Sequence, residues 1–63
     1  MQEQIFEALR RGAHDEALAG AQAAVAADPR GARPLLWLAM ASRALGRDDD
    51  ALTAIDRAIA LAP

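Results

Sequence analysis

Side chains that could act as nucleophiles or carry protons are few in this sequence. Ser42 is the only serine, Thr53 the only threonine and His14 the only histidine, and there is no cysteine. Ser42 falls on the side of its predicted helix that faces the core, which argues against a role as an activated nucleophile. His14 is expected in a turn or an interface. We therefore predict no catalytic residue, and we predict that the protein is not an enzyme.

Three consecutive acids, Asp48, Asp49 and Asp50, are the only cluster that suggests a cation site. Consecutive residues in the first turn of a helix point in different directions, so these carboxylates cannot converge on one ion. Their expected role is to stabilise the positive end of the helix dipole. One histidine without cysteines cannot form a zinc site, and the four glycines are isolated, so there is no phosphate loop. We predict no metal and no cofactor.

Composition excludes several classes of function. The net charge is −2 and the pI is near 5.1, which argues against nucleic acid and an anionic membrane as partners. The N-terminal residues do not form the basic start of a signal peptide, and no apolar run is long enough to span a bilayer. All seven basic residues are arginine, a bias that we attribute to a GC-rich coding sequence. We expect a bacterial, cytoplasmic protein.

An internal repeat appears when the chain is compared with itself at an offset of 34 residues. Over residues 8–29, seven positions are identical to their counterparts at 42–63. The matched pairs Gly12 with Gly46 and Pro29 with Pro63 carry most of the weight, because alanine matches are expected in a chain with 18 alanines. The pattern predicts one domain over residues 1–63, with a first repeat at about 1–29 and a second at about 30–63.

Each repeat is predicted to form two helices, so the fold class is all-α with two stacked helix-turn-helix hairpins. The expected helices cover residues 2–11, 14–28, 34–45 and 48–62, with glycine ending the first helix of each pair and proline closing the second. Apolar residues recur at helical spacing in both second helices. The residues predicted to be buried are Ala17, Leu18, Ala24, Leu38, Ala39, Ala51, Leu52, Ile55 and Ala58.

A 34-residue unit of this kind resembles the tetratricopeptide repeat (TPR) family, and the resemblance covers essentially the whole chain. The matching residues of the first unit are Ile5, Ala8, Gly12, Ala17, Ala21, Ala24 and Pro29. Those of the second are Leu35, Leu38, Ala39, Ser42, Gly46, Ala51, Ile55, Ala58 and Pro63. The resemblance implies an α-solenoid fragment that binds a protein or peptide in the groove lined by the first helix of each unit.

The sequence departs from the family pattern at several positions. His14 and Asp48 stand where the family prefers an aromatic residue, and Gln4 stands where the second unit has Leu38. The family's well-known clamp for a terminal carboxylate is not expected, because Gln2, Phe6 and Trp37 occupy clamp positions and only Arg33 is a basic candidate.

The resemblance places the predicted partner-binding residues on the two first helices: Phe6, Leu9, Arg10, Arg33, Leu36, Trp37, Met40 and Arg43. The predicted helix over residues 34–45 has apolar side chains on nearly all its sides. A single helix pair can bury only some of these sides, so we expect a partner to cover the others. Trp37 could also simply pack on Phe6 inside the monomer, and the two interpretations are compatible.

We predict a protein–protein interaction module. Two alternatives stay open: a homo-oligomerisation element that forms a dimer, or an N-terminal appendage that positions a separate catalytic domain. Two repeats are few for a stable array, since each repeat buries its faces against neighbours. The chain is therefore expected to be a piece of a longer protein or to associate with itself.

Overall fold

The computed structural model describes residues 2–62 as four α-helices joined by short connections. The helices are α1 (Gln2–Arg10), α2 (His14–Ala27), α3 (Ala32–Ala44) and α4 (Asp48–Leu61). The predicted all-α class is confirmed, and no strand occurs within the described part of the chain. Each helix ends one residue before its predicted end, and α3 begins two residues earlier than predicted. Met1 and Pro63, which belong to the predicted repeats, lie outside the described residues.

Helices that follow one another in sequence pack against one another, and α3 also contacts α1. The connections are only a few residues long, which makes successive helices antiparallel neighbours. The result is a first hairpin of α1 and α2 and a second of α3 and α4, with α3 packed on the first hairpin. Within residues 2–62, no helix is long and apolar enough to cross a bilayer.

The turn after α1 is closed by a glycine in the left-handed region. Gly12 has φ +78°, a conformation that costs an L-residue with a β-carbon free energy. Its amide donates to the Leu9 carbonyl at 3.1 Å, and the Ala13 amide donates to the Ala8 carbonyl at 2.8 Å. These two hydrogen bonds form a Schellman motif, which satisfies carbonyls that the helix itself leaves without donors.

The turn after α3 repeats this geometry 34 residues later. Gly46 has φ +77°, its amide donates to the Arg43 carbonyl at 2.9 Å, and the Arg47 amide donates to the Ser42 carbonyl at 2.8 Å. The helices that follow, α2 and α4, both contain 14 residues and begin 34 residues apart. Turn geometry and helix starts therefore repeat at the same 34-residue spacing as the sequence does.

The core consists mainly of small side chains. Nine buried residues of the described chain are alanines, and the larger buried apolar side chains are Ile5, Leu35 and Pro34. Alanine brings helix axes close together, so backbone contacts replace interdigitating bulky side chains. Gly20 allows the closest approach, because a β-carbon at this position would lie 3.1 Å from Cγ1 of Ile5.

The predicted core is partly right. Ala17, Ala24, Ala39, Ala51 and Ala58 are buried as expected, whereas Leu18 and Leu38 are half-buried. The expectation was wrong for two residues of α4: Leu52 is 59% exposed and Ile55 is 36% exposed. Among residues 2–62 only α3 packs against α4, so the part of the apolar side of α4 that α3 does not cover stays in solvent.

Candidate partner-binding surface

The predicted binding residues lie on α1 and α3, the two helices that begin the hairpins. We call their solvent-facing sides the first-helix face. Six of the eight predicted residues are exposed to solvent, and the other two are half-buried. The exposed side chains are Phe6, Arg33, Leu36, Met40 and Arg43, while Leu9 and Trp37 are half-buried and Arg10 is exposed but ion-paired.

Phe6 and Trp37 join the two helices at the centre of this face. Their ring centroids lie 6.3 Å apart with the ring planes at 86°, an edge-to-face contact, which is a favoured aromatic geometry. Trp37 and Leu9 also pack against the buried alanines of α1 and α2. Phe6 nevertheless stays 41% exposed. The monomer therefore fixes the orientation of this aromatic pair and leaves one of its rings available to a partner.

Leu36 and Met40 continue the apolar surface from the aromatic pair toward α4. They are four residues apart on α3 and share one helical side, and they are 46% and 45% exposed. With Ile55 of α4 they line an open groove of about 180 Å³ whose floor is formed by Ala39 and Ala51. The small alanine side chains make the groove, because larger residues at those positions would fill it.

Arginines edge the apolar surface. Arg43 lines the same groove, and Arg33 lies one turn before Leu36 on α3 and is exposed. Within residues 2–62 neither guanidinium has an ion-pair partner, whereas Arg10 pairs with Glu7 on α1. The two arginines of α3 are therefore free to pair with carboxylates of another molecule.

Two further clefts lie outside the first-helix face. One, of about 300 Å³, opens between α2 and α4 and is lined by polar residues that include Gln22, Arg47, Asp50 and Arg57. The other, of about 390 Å³, lies between α1 and α2 beside Gly20. Ser42 and Thr53 line the first cleft together with Asp50, and the Thr53 hydroxyl donates to the backbone carbonyl of Asp49 at 3.0 Å. Both clefts carry charges of both signs. Because of these charges, the two clefts suit a partner that binds through apolar side chains less well than the first-helix face does.

The serine and the acid cluster singled out in the sequence differ in their exposure. Ser42 is buried at 2% exposure, and Asp48, Asp49 and Asp50 lie in solvent in the first turn of α4. In the described part of the chain, no three His, Cys, Asp or Glu side chains come close enough to hold a metal ion. The pKa of Glu3 in the first turn of α1 is lowered, mainly by a hydrogen bond with its backbone amide.

Comparison with protein-family models, with curated proteins and with solved structures finds no significant match for this chain.

Sequence reasoning missed the part that α4 plays in the groove. Ile55 and Ala51 were assigned to the core because they fall on the apolar side of the helix, yet Ile55 lines the groove together with Leu36 and Met40. The available signal was the 34-residue register. It pairs Ile55 with Ala21, which lies in the core cluster where α1, α2 and α3 meet, whereas no helix of residues 2–62 follows α4 to complete an equivalent cluster around Ile55.

Proposed function

We propose that this protein is an interaction module of the tetratricopeptide type that binds a partner protein or peptide through the first-helix face. The observation that carries the proposal is the continuous apolar surface of Phe6, Trp37, Leu36 and Met40, of which three side chains are more than 40% exposed. Large apolar side chains that are exposed on one contiguous surface are typical of a contact site. Isolated exposed apolar residues would need no such account.

The repeat geometry supports the family assignment. Both hairpins close their first helix with a left-handed glycine and the same pair of backbone hydrogen bonds. Buried alanines fall at the positions where the family brings its helices close together. We propose on this basis that the chain is a segment of a TPR adaptor or scaffold in the cytoplasm of a bacterium.

The dimensions of the groove favour a macromolecular partner over a small ligand. Pockets that enclose a drug-sized molecule have volumes of about 300–1,000 Å³ and are mostly closed, whereas the groove beside Leu36 and Met40 is open and holds about 180 Å³. That volume accommodates one or two side chains of a peptide. Binding would therefore depend on a few anchors placed against the aromatic pair and in the groove.

The charges on this face indicate the character of the partner. Arg33 and Arg43 edge the apolar surface without ion pairs of their own among the described residues, so carboxylates of the partner would find them available. Exposed charges of this kind mainly increase the association rate and select the orientation of binding. We expect a peptide with aliphatic or aromatic anchors flanked by Asp or Glu.

Selection from a random peptide library displayed on phage, with the 63-residue chain immobilised, tests the proposal. Selected peptides should contain apolar anchors next to acids. Because Trp37 is the only tryptophan and lies in the binding face, binding of a tryptophan-free peptide should shift its fluorescence emission. The substitutions Phe6→Ala and Met40→Ala should each raise the Kd about 10-fold or more, as removal of a binding anchor does.

Gln22→Ala provides the matched control, because Gln22 is exposed on α2 away from the first-helix face. It should leave the Kd unchanged. Selection that enriches no sequence, or peptides whose binding is lost in Gln22→Ala but retained in both Phe6→Ala and Met40→Ala, would contradict the proposal. Circular dichroism of each variant shows that the helices are still formed.

A further inference from the structure

The groove on the first-helix face lies where α3 packs against α4. Its floor consists of Ala39 and Ala51, which are 5% and 6% exposed and belong to one buried cluster of the two helices. Its walls are Leu36 and Met40 on α3 and Ile55 on α4. An alanine side chain has no rotamers to exchange, so the packing of the helices fixes the floor. Only the walls can adapt to a side chain that enters the groove.

The groove and the aromatic pair suit different side chains of a partner. Aromatic side chains gain additional stabilisation from edge-to-face contacts with other rings. The rings of the first-helix face belong to Phe6 and Trp37, and neither of them lines the groove. The groove has aliphatic walls and a volume of about 180 Å³. It therefore fits one aliphatic side chain of the partner better than an aromatic ring.

The size limit of the groove depends on α4. Ile55 is the large side chain that α4 contributes to the groove, and it closes the side opposite Leu36 and Met40. It is 36% exposed, so a shorter side chain at this position would open the groove and leave the buried alanines of the floor in place.

A cation lies at the edge of the groove. Arg43 lines it and is exposed three residues after Met40 on α3. Asp48 lies near Arg43 in a neighbouring recess, but the ion pairs among residues 2–62 include none between them. Arg33 is about 15 Å away along the helix axis and does not line the groove. A carboxylate beside a side chain in the groove would therefore meet Arg43.

We infer, on the basis of the proposed function, that this groove determines which peptide is bound. One aliphatic side chain of the partner, of the size of leucine, isoleucine or methionine, occupies the groove. A carboxylate of the adjacent residue in the partner pairs with Arg43, and Ile55 excludes aromatic side chains. Recognition thus requires both helices of the second hairpin.

A size-exchange experiment tests the role of Ile55. Phage selection against the wild-type chain should enrich an aliphatic residue next to Asp or Glu, and selection against Ile55→Ala should enrich aromatic residues at that aliphatic position. Replacing the aliphatic residue of a selected peptide by phenylalanine should raise the Kd for the wild type about 10-fold, a usual discrimination by an apolar pocket. The same replacement should leave the Kd for Ile55→Ala unchanged or lower it.

Leu52→Ala provides the matched control for the size exchange. It removes an exposed side chain from the same helix at a position that does not line this groove. It should keep the wild-type preference for an aliphatic residue. Alanine is the best helix former, so both variants should keep α4, which circular dichroism checks.

Charge reversal tests the role of Arg43. Arg43→Glu should change the preference at the residue next to the aliphatic anchor from Asp or Glu to Lys or Arg, because like charges oppose binding. Arg33→Glu makes the same change of charge on the same helix outside the groove. It should weaken the binding of acidic peptides without reversing the preference beside the aliphatic anchor.

The outcomes separate this inference from the proposed function. Peptides that lose affinity in Phe6→Ala, yet show the same anchor preference for the wild type and Ile55→Ala, would overturn the inference and leave the proposed function standing. A preference for Asp or Glu that survives in Arg43→Glu would do the same. Selection that enriches no peptide would overturn both.

Discussion

Single residues fix the ends of the first helix in each hairpin. Gly12 and Gly46 have φ values of +78° and +77°, and a β-carbon at either position would meet no atom within 4 Å. The requirement for glycine is therefore one of backbone conformation and not of space. An L-residue in the left-handed region costs roughly 1–2 kcal/mol.

Gly46→Ala should accordingly lower the free energy of unfolding by about 1 kcal/mol, measured by urea denaturation followed by circular dichroism. The 63-residue length permits chemical synthesis, so D-alanine at position 46 provides the control. D-alanine favours positive φ and restricts the unfolded chain, and it should keep or increase stability. If L-alanine and D-alanine lowered the free energy of unfolding equally, the positive φ at position 46 would not be the reason why the turn needs glycine.

At the scale of the helices, stability depends on close crossings through alanine. Ala24 of α2 is 1% exposed and belongs to the cluster where α1, α2 and α3 meet. Ala24→Leu inserts three carbon atoms into a packed crossing and should lower the free energy of unfolding by about 1–3 kcal/mol.

Ala23→Leu is the matched control, because it makes the same change on the exposed side of the same helix. Its effect should stay within about 0.5 kcal/mol, which is usual for a surface substitution. Thermal and urea denaturation of both variants measure the difference. Similar stability for Ala24→Leu and Ala23→Leu would contradict the packing of α2 described here.

Helix positions could be predicted from local signals in the sequence. Glycines that permit a left-handed turn, acids in the first turns of α2 and α4, and apolar residues at helical spacing act within one or two turns of chain. Pro34 predicts a helix start at residue 34, but α3 begins at Ala32. Proline is tolerated throughout the first turn, where no intrahelical amide bond is lost, so it does not mark the first residue of a helix.

Burial on α4 could not be predicted in the same way. Helical periodicity identifies the apolar sides of a helix, but it does not tell which neighbour covers each side. Ala51 and Leu52 are adjacent in sequence and both matched the pattern, yet one is 6% and the other 59% exposed. The difference depends on where α3 ends and on whether another helix follows, which is a property of the tertiary arrangement.

At the scale of the whole molecule, the two hairpins give the chain two apolar surfaces and one polar end. Helix α1 carries Glu3, Gln4 and Glu7 in solvent and exposes one large apolar side chain, Phe6, whereas α3 and α4 expose the others. The sequence indicated the first-helix face through the types and spacing of its residues. The expected contact of Trp37 with Phe6 is confirmed, but its edge-to-face geometry depends on how the two hairpins pack and could not be predicted from the sequence.

Chemical-shift mapping by NMR shows residue by residue whether a partner binds to the first-helix face. The labelled 63-residue chain is titrated with a peptide selected for binding, and amide and methyl signals are followed residue by residue. We predict that the largest changes occur at Phe6, Leu36, Trp37 and Met40, with smaller changes at Arg33 and Arg43. Changes confined to the opposite side of the molecule, around Gln22, Thr53 and Arg57, would contradict the account.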